Sequence, residues 1–524
     1  MPFTGSILDE STAAAKALFT FVLLPLGEHG SGKALNIGEA FWHSPRLDFA
    51  GWPTRADVLR KGWKMQEDRG VQGSKEIAGL PVIRTEVAGI DIGSKQHWVC
   101  APTVDRSARE VATFGATTPE LNRMAQWLRE RDIKSIAMES TGVYWIAPHE
   151  VLEAAGFEIL LVDTRQLARV PGRDKKTDAK DCEWIQRLHS CGLLRGSFRP
   201  PEMICMLRTL VRDKATLVAE SADWLRRMQK SLDQMNVRVH RAVSDIDGVT
   251  GMKILRAIAG GERDPKKLAQ MRDWRCRKSE QEIADQLTGH WRQDHLFSLR
   301  QSLQMYDAIQ QRVAEYDREI LRKLAELQRD DRRQQTPPNV NNPQKARAIK
   351  KRGEEPMREA LYRMIGADMT SIDAIGVETV LVVASEYGPD LSDFPTEKQF
   401  VSHATLAPHR SISGGKPVKK KRRHTASARV AAALRMAALS LRNSHTALGA
   451  YYRKIARSRG GDVAVFATAR KLATLIYRLL RWGQPYVDEG AAAFEKRYLE
   501  VRIKSIRARA KELGYELVQS TVAG

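Results

Sequence analysis

Between residues 86 and 192 three short apolar runs follow one another, and only then do helices and strands begin to alternate. The runs are Val87–Ile92, His97–Ala101 and Val111–Phe114, joined by polar turns. Each is too short for a stable helix and carries β-branched or aromatic residues, so each reads as a strand. Short polar turns between successive strands favour antiparallel pairing. Thr118-Pro119-Glu120 then opens a helix, with Thr118 as N-cap and proline in the first helical position. Leu121, Met124, Ala125 and Leu128 recur along it at helical spacing. A strand at Ser135–Met138, a helix through Val151 to Ala155 that stops at Gly156, and a strand at Glu158–Val162 follow. The last run is almost uninterruptedly apolar, as expected of a buried parallel strand.

Three antiparallel strands followed by alternating helices and strands is the order of the RNase-H-like (RuvC-like) mixed sheet. The expected fold class is therefore α/β plus α, with an α/β domain over 81–200. In that fold an acid on the first strand and another after the fourth face the same sheet edge, and Asp91 and Glu139 occupy those places. Asp178 and Asp181 open a helix of 178–190. Asp181, Trp184, Ile185 and Leu188 fall on one face of it, with Asp178 on the same side. A carboxylate on the sheet-facing stripe is costly to desolvate unless a cation meets it. A metal ion offsets that cost; a helix cap at Asp178 and a dipole contact at Asp181 are the plainer alternative. Converging acids bind hard divalent cations through oxygen, and paired magnesium ions suit phosphodiester cleavage.

Charge points to the same kind of partner. Among 524 residues, 85 Lys and Arg stand against 63 Asp and Glu, a net charge of +22. That surplus favours a polyanion, and for a soluble protein nucleic acid is the commonest one. Cys100, Cys182, Cys191, Cys205 and Cys276 show no Cys-x-x-Cys pair. A zinc site or disulfide framework is not expected, and a reducing cytoplasm is. No apolar run reaches membrane-spanning length; the longest, Ala17 to Leu26, is broken by Thr20 and Pro25. Residues 1–80, rich in Gly, Pro and charge, carry no recognisable chemistry and read as an extension with disordered parts. Met65 is an alternative start for the chain.

Residues 201–330 read as long helices. Leu299, Leu303, Tyr306, Ile309, Val313, Tyr316, Ile320, Leu324 and Leu327 succeed one another by threes and fours, a coiled-coil-like seam suited to self-association or to packing within its own domain. Residues 331–356, with Pro337, Pro338, Pro343 and many Lys and Arg, read as a linker. Residues 357–515 read as a helical second domain. Within it, Asp373-Ala374-Ile375-Gly376 resembles a helix-hairpin-helix turn or an ordinary helix-helix turn. Pro408, Arg410, Ser411, Ser413-Gly414-Gly415-Lys416 and the run Lys419-Lys420-Lys421-Arg422-Arg423 form a glycine-flanked, cationic segment able to approach phosphates.

Three motifs resemble one family. Glu139-Ser140-Thr141-Gly142-Val143-Tyr144-Trp145, Lys176-Thr177-Asp178-Ala179-Lys180-Asp181, and Pro408 with Ser413-Gly414 are similar, in order and spacing, to the hallmarks of the DEDD transposases of the IS110 class of insertion sequences. The resemblance spans roughly 86–480. It implies a recombinase acting on donor and target DNA, guided by a structured non-coding bridge RNA and assembled as a homo-oligomer, dimer to tetramer, in the bacterial cytoplasm at the nucleoid. It implies that Asp91, Glu139, Asp178 and Asp181 hold two Mg²⁺ ions and that Ser413 is the nucleophile, with Ser411 as a neighbouring rival. Arg410, Lys416 and Lys419 to Arg423 are then expected to contact nucleic acid. The expected Pro-Gly-Ile-Gly hairpin is replaced by Asp373-Ala374-Ile375-Gly376. Tyr144 and Trp145 either fill the core or stack on nucleic acid. A junction-resolvase-type nuclease using water in place of the serine is the alternative reading.

Overall fold

The computed structural model describes residues 81–140, 142–167, 177–408, 411–414, 416–418 and 428–518. The expectations for residues 1–80 lie outside them. The first part is a five-stranded sheet of β1 (Val87–Ile92), β2 (Gln96–Pro102), β3 (Arg109–Gly115), β4 (Ser135–Glu139) and β5 (Glu158–Val162) in the order β3-β2-β1-β4-β5. β1, β2 and β3 pair antiparallel, whereas β4 runs parallel to β1 and β5 parallel to β4. The parallel connections are made through α1 (Thr118–Glu130) and α2 (Ile146–Ala154). This arrangement fits the expected RNase-H-like sheet.

Two local expectations shift. Thr117, in extended conformation, takes the N-cap place of α1, so Thr118 and Pro119 already lie in its first turn. β5 is an edge strand: Glu158 is exposed and Ile159 and Leu160 are only half-buried. Its apolar run reflects cover at its C-terminal end, where Leu161 and Val162 are buried. Against one face of the sheet, Leu121, Met124 and Leu128 of α1 and Leu152 of α2 close a core with Ile90 and Ile136. α4 (Asp178–Ser190) packs on β1 and β2, after a single turn, α3 (Thr164–Leu167).

Beyond the sheet, α5 (Glu202–Gln234) and the helix Gln293–Glu326 pack along each other in opposite directions. At one end Met228 and Leu232 join Leu299 and Leu303 in a small helical core. At the other, Ile204 and Leu207 join Ile320 and Leu324 in a larger helical core with Leu361, Leu381 and Leu472. The predicted seam is therefore taken up inside the chain, with Val313 and Tyr316 half-buried, and it offers no separate argument for self-association.

The stretch read as a linker is in part helical and packed against this larger core. Asn342 caps the helix Pro343–Arg352, Ile349 is buried, and Lys345 Nζ donates to the carbonyls of Thr370 and Ile372. Burial holds the Lys345 ammonium down at about 8, against the pull of Asp373 and Asp368. A run of Pro and cations looks linker-like only while its carbonyl partners, 25 and 27 residues further along the chain, are out of sight. In the turn that follows, Ala374 has φ 65°, a left-handed conformation that favours glycine, before the helix Val377–Tyr387 begins at Gly376.

Candidate active site

The four predicted acids line one open cleft of about 660 Å³ at the carboxyl ends of β1 and β4. Its other lining residues include Gly93, Ser94 and Lys95 of the β1–β2 turn, Trp98 of β2 and Thr164 of α3. Asp91 is carried by β1, where it lies opposite Trp98, and Glu139 is the last residue of β4. The parallel β1–β4 ladder pairs Ile90 with Met138, which brings the two acids to the same end of neighbouring strands.

α4 supplies the other pair. Thr177, not Asp178, is its N-cap, and the threonine hydroxyl accepts a 3.4 Å hydrogen bond from Lys180 N. Asp178 and Asp181 both lie in the first turn, where the helix dipole favours negative charge. Asp178 is exposed, whereas Asp181 is only 4% exposed and shares its stripe with buried Trp184, Ile185 and Leu188. The sheet-facing carboxylate expected from periodicity is thus in place.

What seats α4 is the absence of a side chain on β1. A Cβ at Gly89 would stand 2.2 Å from Gln186 N and 2.6 Å from Cys182 O, so only glycine lets the helix backbone come this close. Gln186 Nε2 also donates to Val87 O at 3.3 Å, and His189 Nε2 lies 2.9 Å from Ser135 Oγ. Burial pushes the Cys182 thiol well above its usual range, with Cys100, Glu183 and Asp91 adding negative field. The Cys100 thiol rises to about 12, chiefly through burial. Both are inert core groups, and all five cysteines are free.

The cleft suits an oxygen-ligated cation in its chemistry: four carboxylates border one opening, and hard divalent ions take such donors. Among the described residues, no three His, Cys, Asp or Glu side chains are already gathered closely enough to hold an ion. Sequence reasoning missed Lys95, Trp98 and Thr164 in the lining. Lys95 had a signal, because it stands in the turn that directly follows Asp91 and Gly93.

The other predicted residues are placed only in part. Ser411–Ser413 and Lys416–Val418 form a small antiparallel ribbon, β6 and β7, in which Ser413 pairs with Lys416 and Gly414 turns with φ 56°. The glycine-flanked segment thus turns as a short hairpin. The side chains of Ser411, Ser413 and Lys416 lie outside what the structure describes. Arg410, Lys419, Lys420, Lys421, Arg422 and Arg423 lie outside the described residues. Trp145 is half-buried, packs edge-on to His149 with centroids 5.7 Å apart, and donates from Nε1 to Gly142 O; Tyr144 is 50% exposed. The core-filling reading therefore suits Trp145 and not Tyr144. Among the described residues, no helix is long and apolar enough to cross a membrane.

Comparison with known proteins agrees with this layout. Residues 88–237, which hold the acidic cleft, match a family of transposases of the DEDD, IS110 type. Residues 366–453, which hold the β6–β7 ribbon, match the transposase IS116/IS110/IS902 family. The chain is also 27% identical over 161 residues to the "Insertion element IS116 uncharacterized 44.8 kDa protein" of Streptomyces clavuligerus. That similarity covers 29% of this chain and 40% of the relative.

Proposed function

We infer, from acid-bearing and serine-bearing regions that both belong to the IS110 class of insertion-sequence transposases, that this chain cuts and rejoins DNA. The observation that carries the reading is the gathering of Asp91, Glu139, Asp178 and Asp181 around one cleft from two strand ends and one helix.

In this reading the four carboxylates would hold two divalent cations, Mg²⁺ by preference. Held by Asp91, Glu139, Asp178 and Asp181, such ions would supply charge stabilisation to a scissile phosphate. Asp91 and Glu139, fixed on neighbouring strands, set one wall; Asp181, buried under the helix dipole, sets the other. Lys95, at the mouth, attracts the phosphate backbone. Ser413 Oγ displaces one ester oxygen of the DNA strand and keeps the bond energy as a phosphoserine ester; attack on that ester by another strand end rejoins DNA and frees the serine. A bridge RNA selects donor and target by base pairing, which leaves the protein chiefly backbone contacts to make, in keeping with its +22 charge. An assembly of two to four copies holds both DNAs.

A second reading, hydrolysis by water in the manner of a junction resolvase, draws on the same four acids, which serve a water nucleophile as well as a serine. Strand cleavage measured on labelled donor DNA, with Mg²⁺ and with a chelator, tests the metal-dependent site common to both readings. Wild-type cleavage should require the divalent ion, and Asp91→Asn and Asp181→Asn should each lower it by a hundredfold or so, about 3 kcal/mol in barrier. Unchanged cleavage in both variants would remove the cleft from the chemistry.

A further inference from the structure

The helical module between α5 and the helix Gln293–Glu326 displays one side chain that neither the fold nor the cleft uses. Trp274 is 87% exposed, more than any other large apolar side chain among the described residues. Isolated exposed aliphatics are ordinary on protein surfaces. An indole held fully in water, among cations and on an ordered loop, is not.

The loop runs Met271-Arg272-Asp273-Trp274-Arg275-Cys276-Arg277-Lys278, with four cations and one acid. It is pinned from both ends. Asp273 N donates to Thr250 Oγ1 at 3.0 Å, Cys276 N to Asp273 O at 2.9 Å, and Arg272 Nη1 to Lys278 O at 2.7 Å. The only acid is spent internally: Arg275 meets Asp273 through its backbone N at 3.1 Å and its Nε at 2.7 Å. Those bonds hold the Asp273 carboxyl down at about 2, so the pair stays charged at any working pH. The Arg275 guanidinium carbon sits 5.8 Å from the indole centroid, and Arg275, Arg277 and Lys278 are exposed around it. Lys253, on the neighbouring helix Val249–Ala259, adds a further exposed cation close to Asp273.

We propose that Trp274 is a stacking platform for an unpaired nucleobase, with Arg277, Lys278 and Lys253 taking the flanking phosphates. A flat aromatic surface accepts any base, and base stacking on such a ring is a main source of single-strand affinity. A paired base is already stacked on its neighbours and offers no free face, so the platform discriminates single strand from duplex. A rigid loop loses little freedom on binding, which favours this use of an otherwise costly exposed ring. The surrounding charge selects a polyanion over an apolar protein surface. The unpaired base belongs either to a looped RNA or to a displaced DNA strand; the chemistry is the same.

The test is fluorescence anisotropy on the full chain with labelled single-stranded RNA, single-stranded DNA and a duplex of equal length, in chelator. Trp274→Ala should weaken at least one single strand about tenfold, within the range of one base stacked on an aromatic ring. Trp274→Phe, which keeps a π-face, should restore most of it, and duplex binding should stay unchanged. Loss for RNA alone assigns the site to an RNA loop, and loss for DNA alone assigns it to a displaced strand. The proposal is overturned by unchanged affinities, by equal losses in the Ala and Phe variants, by an equal loss on duplex, or by a wild-type chain that binds no single strand. Because the assay is run in chelator and reads binding alone, this site is judged apart from metal-dependent cleavage in the acidic cleft.

Discussion

The Cα of Gly89 on β1 lies so close to the backbone of Gln186 on α4 that a Cβ would come within 2.2 Å of its nitrogen. This contact decides how near Asp181 comes to Asp91, since each acid is carried by one of the two touching elements. Gly89→Ala should push α4 off the sheet. The obstructing atoms are backbone and cannot rotate away, so we expect roughly 1–3 kcal/mol of destabilisation by urea titration. Cleavage should fall further than that loss of stability explains, because the acids separate. An alanine variant with wild-type stability and activity would show that the close approach is not needed.

Glu386 ties α5 to the helix Val377–Tyr387. Arg212 meets its carboxylate through two bonds of 2.9 and 2.8 Å, and Arg208 reaches it at 3.3 Å and its backbone carbonyl at 2.7 Å. The Glu386 side chain is only 6% exposed. Glu386→Ala leaves two guanidinium groups facing a buried hole, and loss of one partner of a buried pair costs about 3–5 kcal/mol. A lowered melting temperature together with new proteolysis between α5 and the helix Val377–Tyr387 is the expected outcome.

His189, 1% exposed beneath the sheet, is pushed down to about 4 by burial, with Arg84 adding to the effect and Glu158 opposing it. Its imidazole stays neutral when folded, while the unfolded chain takes up a proton from pH 6.5 downward. The unfolded state therefore binds more protons across that window, and stability falls as pH drops from about 6.5 to about 4. The loss should approach roughly 3 kcal/mol at the acid end. His189→Gln, which can keep a hydrogen bond to Ser135, should flatten this part of the stability curve in chemical denaturation at each pH. Burial lowers His97 and His149 in the same direction, so some slope should persist.

Ala374 holds φ 65°, where an L side chain is strained by about 1–2 kcal/mol. Ala374→Gly should raise the melting temperature slightly, by up to about 1 kcal/mol of stability once the added freedom of the unfolded glycine is counted. A lowered melting temperature would mean that the alanine methyl packs to more effect than the backbone strain costs.

What could be read in advance was what repeats locally. The bounds of β1 and β5 follow from short apolar runs between polar turns and the apolar stripe of α4 from period-3.6 patterning, which alone places Asp181. The edge position of β5 was hidden, since its sequence says nothing about which strands lie beside it. The packed state of the Pro343–Arg352 helix was hidden too, because Lys345 finds its carbonyl acceptors in the turn around Thr370 and Ile372. The seam from Leu299 to Leu327 was legible as a seam, but its partner, α5, lies some hundred residues earlier by the numbering of Glu202–Gln234. Trp274 carried no periodic signal at all; its meaning comes from exposure, which only the fold reveals.

The measurement that bears most directly on the cutting-and-rejoining reading is covalent trapping. The purified chain with its co-purifying RNA, labelled donor DNA and target DNA is incubated with Mg²⁺ and run on a denaturing gel. A protein-linked DNA band that disappears in Ser413→Ala and in Asp181→Ala, and persists in Ser411→Ala, is the expected result. Cleaved DNA with no protein attached would contradict the serine mechanism and leave a hydrolytic nuclease working from the same four acids.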